Sequence, residues 1–322
     1  MVGAGAWGTS LARLLRRNGH DITLWAHEPQ ILRAMAAANC NEQFLPGIPL
    51  PRDFSYEEDL EKSLAVAEAA IVAVPSQVFR HVTARMSSFQ GMVVSVTKGI
   101  EHGSGLSMSG VLAQTCPKAR GVALSGPSFA LEVARDIPTA VVVASDQPSV
   151  ANAAQELFLS TAFRVYTTTD ILGVELGGAL KNVIAIAAGL SDGLGFGDNS
   201  KAALVTRGIV EMKRLGVACG ARGETFNGLS GLGDLMVTCF SKLSRNRGFG
   251  ERVARGEKAP DIAQSMVAVA EGYPTAKSAC HLARAKRVST PIIDEVYAML
   301  YEGKDVARAV RDLMTRDPKA EQ

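Results

Sequence analysis

Gly3-Ala4-Gly5-Ala6-Trp7-Gly8 constrains this chain more than any other stretch. Three glycines at GxGxxG spacing, placed ahead of a helical run, meet three physical needs. Gly3 suits a tight turn, Gly5 lets backbone approach a pyrophosphate, and Gly8 lets a helix pack closely on a strand. The run Thr9 to Arg17 supplies the helix, whose unpaired N–H groups and positive dipole end would face a diphosphate. The spacing alone is weak, because glycine makes up 31 of 322 residues and chance matches occur. Its context adds weight: a strand ends about twenty residues later, as a mononucleotide-binding unit requires. The competing reading is a glycine-rich turn without a ligand.

The order of elements extends this start. Short β-branched runs at Ile22 to Trp25, Ala70 to Val74, Met92 to Thr97, Val122 to Ser125, Ala140 to Ala144 and Phe163 to Tyr166 alternate with helical patterns. That alternation predicts a parallel, doubly wound sheet, the α/β Rossmann-type class. Beyond Asp170 it stops, and the chain reads as all-α: Asp170 to Ser191, Asn199 to Leu215, Tyr273 to Lys286, Pro291 to Tyr301 and Lys304 to Arg316. The expected division is a dinucleotide-binding domain over 1–170 and a helical substrate domain over 171–322, with a frayed polar tail after Arg316. The first strand is the awkward element. Only Met1 and Val2 precede Gly3, so either the start of that strand is missing or the sheet tolerates a stub.

Composition removes several classes of function. Lys plus Arg is 34 and Asp plus Glu 32, a net +2 that carries no broad cationic field toward nucleic acid or an anionic bilayer. The longest uninterrupted apolar run, Val183 to Leu190, is too short to span a membrane, and MVGAGAWG has no signal-peptide pattern, so a cytoplasmic protein is expected. Five scattered cysteines and five histidines lack disulfide or metal-ligand spacing, so no metal is expected.

Chemistry gathers at a few places. In an open α/β sheet ligands lie beyond the carboxyl ends of the strands. Three ends here are distinctive: Pro75-Ser76, Thr97-Lys98-Gly99 and Ser125-Gly126-Pro127-Ser128. Lys98 could face an anionic substrate or be a solvated turn residue. In the helical part Lys181 is flanked at three and four positions by Gly177, Gly178, Ile184 and Ala185, so no acid pairs with it along the helix. Burial would lower its pKa and suit it to proton transfer; a lysine snorkelling at a domain interface is the plainer reading. Asp234 is either a helix N-cap or the partner that holds Lys181. Ser244-Arg245-Asn246 at a helix start suits a phosphate dianion, or is a basic surface loop. Past strand two, Glu28 could hold a ribose hydroxyl, whereas His27 with Arg33 could suit a 2′-phosphate. His27 could equally be a plain loop residue, and the choice between NADH and NADPH stays open.

Taken in order, GAGAWG, LWAHE, VTKGIE, SGPSFA, LGGALKNV, GLGDLMVTC, SRNRGFG and AEGY resemble the NAD(P)-dependent glycerol-3-phosphate dehydrogenases of bacteria, from Gly3 to about Arg316. The resemblance implies reduction of dihydroxyacetone phosphate to sn-glycerol 3-phosphate, a phospholipid precursor, with NAD(H) or NADP(H), and a possible homodimer. It implies Lys181 as general acid/base, Lys98 as a substrate and cofactor contact, and Gly126 and Ser128 facing substrate. Asp234, Ser244, Arg245 and Asn246 would complete the substrate site, with Arg245 also touching the dinucleotide. Ala6, Trp7, His27, Ala130, Val269 and Glu271 would contact the cofactor beside Gly3, Gly5 and Gly8. Departures are the short first strand, Ala6 where serine is frequent and Ala270 within a usual valine pair. Two rival readings are a related two-domain β-hydroxyacid dehydrogenase and a non-catalytic NAD(P) sensor. Ser244-Arg245-Asn246 favours phosphate over the first, and an apolar-stripe lysine has no purpose in the second.

Overall fold

The computed structural model describes residues 1–318 and 320; the remainder of the predicted tail, at 319, 321 and 322, lies outside the described residues. Among the described residues there are nine strands: β1 (Thr23–Leu24), β2 (Cys40–Asn41), β3 (Leu45–Pro49), β4 (Ser55–Tyr56), β5 (Ala69–Val72), β6 (Met92–Ser95), β7 (Arg120–Ser125), β8 (Thr139–Ala144) and β9 (Phe163–Thr168). Val2 lies at the centre of the sheet. It bridges in parallel to Trp25 beyond β1 and to Val72 of β5. Val2 N–H donates to Ile71 O at 2.8 Å, Ala73 N–H donates to Val2 O at 2.8 Å, and Gly3 N–H donates to Trp25 O at 2.9 Å. The stub therefore joins the pair β4-β1 to the run β5-β6-β7-β8-β9. Val2 is 1% exposed, which gives two residues the burial of a central strand.

One part of the sheet departs from the sequence expectation. β7 and β8 are antiparallel, while β5-β6, β6-β7 and β8-β9 are parallel. The short helix Ala130–Ala134 and the turn after it reverse the chain between β7 and β8, with Asp136 at φ +58°. Residues on β6 are buried on both faces, as strands covered by helices on each side must be. Leu11 and Leu15 of the first helix pack on one face with Val94 and Leu124, and Phe79, Val82 and Leu112 pack on the other with Val93.

After β9 the chain is helical. Asp170 caps the helix Ile171–Gly193, its Oδ1 accepting from Gly173 N–H at 3.0 Å, and its Oδ2 accepts from Arg222 N–H and the Thr225 hydroxyl. That helix is long and apolar enough, by length and composition, to cross a bilayer, although Glu175 and Lys181 break its apolar sequence into runs each too short to do so. Here it is the buried axis of the helical part. Gly189 meets the carbonyl of Arg247, where an added Cβ would stand 1.9 Å from that oxygen, so the helix Arg245–Ala254 crosses it at backbone contact. The helices Asp198–Ala218, Asp234–Phe240, Gly272–Lys286 and Pro291–Tyr301 close around it.

Candidate active site

The glycine motif forms the turn its spacing predicts. Gly3 has φ +107°, and an added Cβ would lie 2.6 Å from Ala73 O; at Gly8 it would lie 2.1 Å from Gly3 O. Gly5, in contrast, has nothing within 4 Å of a built Cβ, so its face is open. Ala6 begins the helix Ala6–Arg17, and no acid occupies its first turn. Trp7 Nε1 is buried without a partner among the described residues. An open glycine face, a bare helix amino end and an orphaned indole N–H fit a dinucleotide diphosphate. Ala130 sits beside this turn, its carbonyl accepting from Ser10 Oγ at 2.7 Å.

A second group brings together residues 136 positions apart in sequence. Lys98, just past β6, reaches Asp234 Oδ2 at 2.6 Å and donates to Gly126 O at 3.2 Å. The same carbonyl accepts from Ser128 Oγ at 3.0 Å. Lys181 lies 2.9 Å from Asp234 Oδ1 and donates to Thr238 Oγ1 at 2.7 Å. Thr238 in turn donates to Asp234 O at 2.6 Å. Asp234 is therefore not the N-cap of its helix. Gly233 holds that position, and the carboxylate instead lies between two ammonium groups.

Electrostatics follow from that arrangement. Burial pulls Lys181 down from 10.5 to about 8, with Asp234 opposing the fall and Lys98 adding to it. Burial on its own would raise the Asp234 carboxyl, but the two ammonium groups outweigh it and hold the pKa below its ordinary value. The cluster of two cations and one anion carries a net positive charge with little solvent to screen it.

The third group surrounds the start of the helix Arg245–Ala254. Ser244 caps it, its Oγ accepting from Arg247 N–H at 3.2 Å and keeping its own hydrogen to donate. Arg245 is exposed, and its guanidinium meets no acceptor among the described residues. Asn246 is a link: its Nδ2 donates to Asn182 Oδ1 at 2.8 Å, and its Oδ1 accepts from Gly272 N–H at 2.8 Å. Glu271, next along, accepts from Ser76 N–H at 2.9 Å and from Ser76 Oγ at 2.6 Å, tying the helical part to the end of β5. Burial raises the Glu271 carboxyl above its usual range, with the Ser76 bonds acting against it.

His27 and Val269 are both exposed. His27 lies past β1 without a side-chain hydrogen bond among the described residues, and Val269 lies ahead of the helix Gly272–Lys286. Arg33, the candidate partner for a 2′-phosphate, is held by Glu58 through two bonds at 2.8 and 3.0 Å. Sequence reasoning overlooked Asn182 and Thr238. Asn182 adjoins Lys181 in LGGALKNV, and Thr238 lies four residues past Asp234, one turn along the same helix face, which was the available signal. Among the described residues no three His, Cys, Asp or Glu side chains gather as a metal site needs.

Two family models match the chain: the NAD-dependent glycerol-3-phosphate dehydrogenase N-terminus over residues 1–151 and the C-terminus of the same family over 170–311. A glycerol-3-phosphate dehydrogenase [NAD(P)+] of Geobacter sulfurreducens is 50% identical, covering 100% of this chain and 98% of that protein. Its counterpart from Syntrophotalea carbinolica is 48% identical with the same coverage. Among solved structures, glycerol-3-phosphate dehydrogenase from Coxiella burnetii superposes with a TM-score of 0.94 at 38% identity, over 98% of each chain.

Proposed function

This chain belongs to the NAD-dependent glycerol-3-phosphate dehydrogenase family, and on that premise we propose that Lys181, Lys98 and Asp234 are the groups through which it works. It is an oxidoreductase that reduces dihydroxyacetone phosphate to sn-glycerol 3-phosphate, the backbone precursor of phospholipids, with NADH or NADPH. The dinucleotide, when bound, supplies the hydride. Gly3, Gly5, Ala6, Trp7 and Gly8 would hold its diphosphate, with Ala130, Val269, Glu271 and His27 along its length. In this division of labour residues up to Asp170 form the dinucleotide-binding domain and those beyond it the helical substrate domain, with Val269 and Glu271 reaching the cofactor, and Lys98, Gly126 and Ser128 the substrate, from across that boundary.

The helix start at Ser244-Arg245-Asn246 takes the substrate phosphate, using the free Arg245 fork, the Ser244 hydroxyl and unpaired N–H groups. Fixing the phosphate orients the ketone and uses remote binding energy to reach a productive geometry. As negative charge grows on the ketone oxygen, the net positive cluster of Lys98 and Lys181 stabilises it. Lys181 then gives that oxygen its proton. With a pKa of about 8 it is mostly protonated at neutral pH yet acidic enough to donate. Asp234 keeps both ammonium groups aimed, and Gly126 and Ser128 border the substrate beside Lys98.

The observation that carries this reading is Asp234 between Lys98 and Lys181, a buried cluster short of one negative charge. Steady-state oxidation of NADH and NADPH with dihydroxyacetone phosphate tests it, with β-hydroxyacids and NAD(P)+ as the competing assay. Turnover of the hydroxyacids alone, or binding of dinucleotide without turnover, would sink it. The exposed apolar side chains Leu232, Met236, Phe240 and Leu243 accord with a homodimer, which sedimentation as a monomer would remove. The near-neutral charge speaks against nucleic acid as a partner, and a salt-sensitive shift on DNA or RNA would count against that. Five free thiols accord with the reducing cytoplasm, and export to an oxidising compartment would refute it.

A further inference from the structure

Behind Lys98 lies a small buried cavity that the reaction scheme leaves unused. It is walled by Ser95, Lys98, Ser125, Val174, Glu175 and Gly178. Ser95 and Ser125 are 3% and 2% exposed, and neither hydroxyl has a hydrogen-bond partner among the described residues. Buried hydroxyls without partners are rare in native proteins, and two on the wall of one cavity point to a shared partner. The cavity volume of ≈ 10 Å³ is at the lower edge of the roughly 10–15 Å³ that one water needs. Glu175 adds acceptor capacity. Its two oxygens accept from Ser109 N–H at 2.7 Å and Ser109 Oγ at 2.5 Å, one bond each, and a carboxylate can accept more.

The cavity sits where three site-bearing elements meet. Ser95 ends β6, three residues before Lys98, and Ser125 ends β7, one residue before Gly126. Glu175 and Gly178 lie on the helix that carries Lys181, six and three residues before it. A Cβ added at Gly178 would stand 2.6 Å from Ser125 Oγ and 3.4 Å from Lys98 Cγ, so the helix rests against both strand ends here.

We infer that this cavity binds one water, hydrogen-bonded to the Ser95 and Ser125 hydroxyls, and that Ser95 and Ser125 are positioning residues acting through it. The water joins the ends of β6 and β7 beneath the Lys181 helix. Lys98 is thereby held within reach of both Gly126 O and Asp234. The positioning role rests on the reading of Lys98 and Lys181 as site residues; the water itself does not.

Two measurements on the whole chain of 322 residues decide it. A high-resolution crystal structure should show one ordered water within hydrogen-bond distance of both serine Oγ atoms, and none there in the double variant Ser95→Ala/Ser125→Ala. The double variant should lose about tenfold in kcat for dihydroxyacetone phosphate, the scale expected for slight misplacement of a reacting group. Its KM for whichever of NADH and NADPH the parent uses, and its thermal midpoint, should stay unchanged. A dry cavity in the parent protein overturns the inference, as does an unchanged kcat in the double variant. A fall in kcat that merely follows a lowered thermal midpoint assigns the hydroxyls to stability and also overturns the positioning role. If the parent protein fails to reduce dihydroxyacetone phosphate at all, the functional reading is wrong, and the crystal structure still judges the water.

Discussion

Replacing Asp234 with Asn keeps the side chain's shape and deletes the negative charge between two ammonium groups at 2.6 and 2.9 Å. Lys181 now titrates at about 8, a value that burial lowers and Asp234 supports. An opposite charge at this range typically moves a pKa by about 1–3, so without it Lys181 should titrate near ~6. At pH 7 the protonated fraction would drop from about nine-tenths to about one-tenth, which alone removes roughly tenfold of the reduction rate. Two ammonium groups no longer held in line should remove roughly another tenfold or more. The assay is kcat/KM for dihydroxyacetone phosphate across the pH range. The parent should be active at low pH and lose activity as pH rises through about 8, where Lys181 gives up its proton. The variant should lose it about two pH units earlier and recover part of its rate in acid. If the basic limb stays where the parent has it, or the variant keeps its rate at pH 7 within about threefold, Asp234 does not set Lys181.

Arg245→Ala should raise KM for dihydroxyacetone phosphate by about 10–100-fold, because a charge-assisted bond to phosphate contributes about 1.5–3 kcal/mol; an effect on kcat alone removes Arg245 from the phosphate. Gly8→Ala would place a Cβ 2.1 Å from Gly3 O, so affinity for NADH or NADPH, whichever the parent binds, should weaken by about tenfold or more, and titration with unchanged affinity refutes the cradle. Glu211, whose carboxylate accepts from Ile292 N–H at 2.9 Å, is pushed up to about 7 by burial. Its contribution to stability is therefore present below its unfolded value of 4.5 and is lost as pH rises through about 7. The parent should lose about 3 kcal/mol relative to Glu211→Gln over that window, and parallel denaturation curves refute this. Finally, a phosphate bound at the Arg245 helix start should add negative charge near Lys181 and favour its protonated form, so the basic limb of kcat should lie above that of kcat/KM; coincident limbs would count against a phosphate close enough to Lys181 to act on it.

How far the sequence disclosed all this depends on whether a feature is local. Gly3, Gly5 and Gly8 were readable because a turn and a helix start are set by neighbouring residues, and Gly3 does take φ +107°. Pro291–Tyr301 begins and ends where its proline and Gly303 indicate. The strands β2 and β4 have two residues each, too few to show alternation, and β3 carries Pro and Gly, so the sequence offered no strand pattern there. Strand direction is also silent in a β-branched run, which is why the antiparallel β8 was missed. Lys181 is the instructive case. Its lack of an acid along the helix showed that any partner had to be distant, but only folding identifies Asp234, 53 residues later, and brings Thr238 and Lys98 with it.

Two ion clusters, a half-buried one around Asp192 and a buried one around Asp234, sharpen what the site is built to receive. Around Asp192, Lys201 at 2.5 Å and Arg247 at 2.6 Å are balanced by that carboxylate together with Glu251, 2.8 Å from Arg247. Two cations meet two anions, as a structural brace between helices requires if no charge is to be left buried. Around Asp234 the count differs by one: Lys98 and Lys181 share a single carboxylate. A buried excess charge is costly unless something meets it, and part of the cost already shows in the Lys181 pKa of about 8. On the function proposed above, the missing anion is the substrate's own developing oxyanion. That is how a chain of net charge +2 can serve phosphorylated ligands without a cationic surface: the field is confined to the one place where negative charge appears during the reaction.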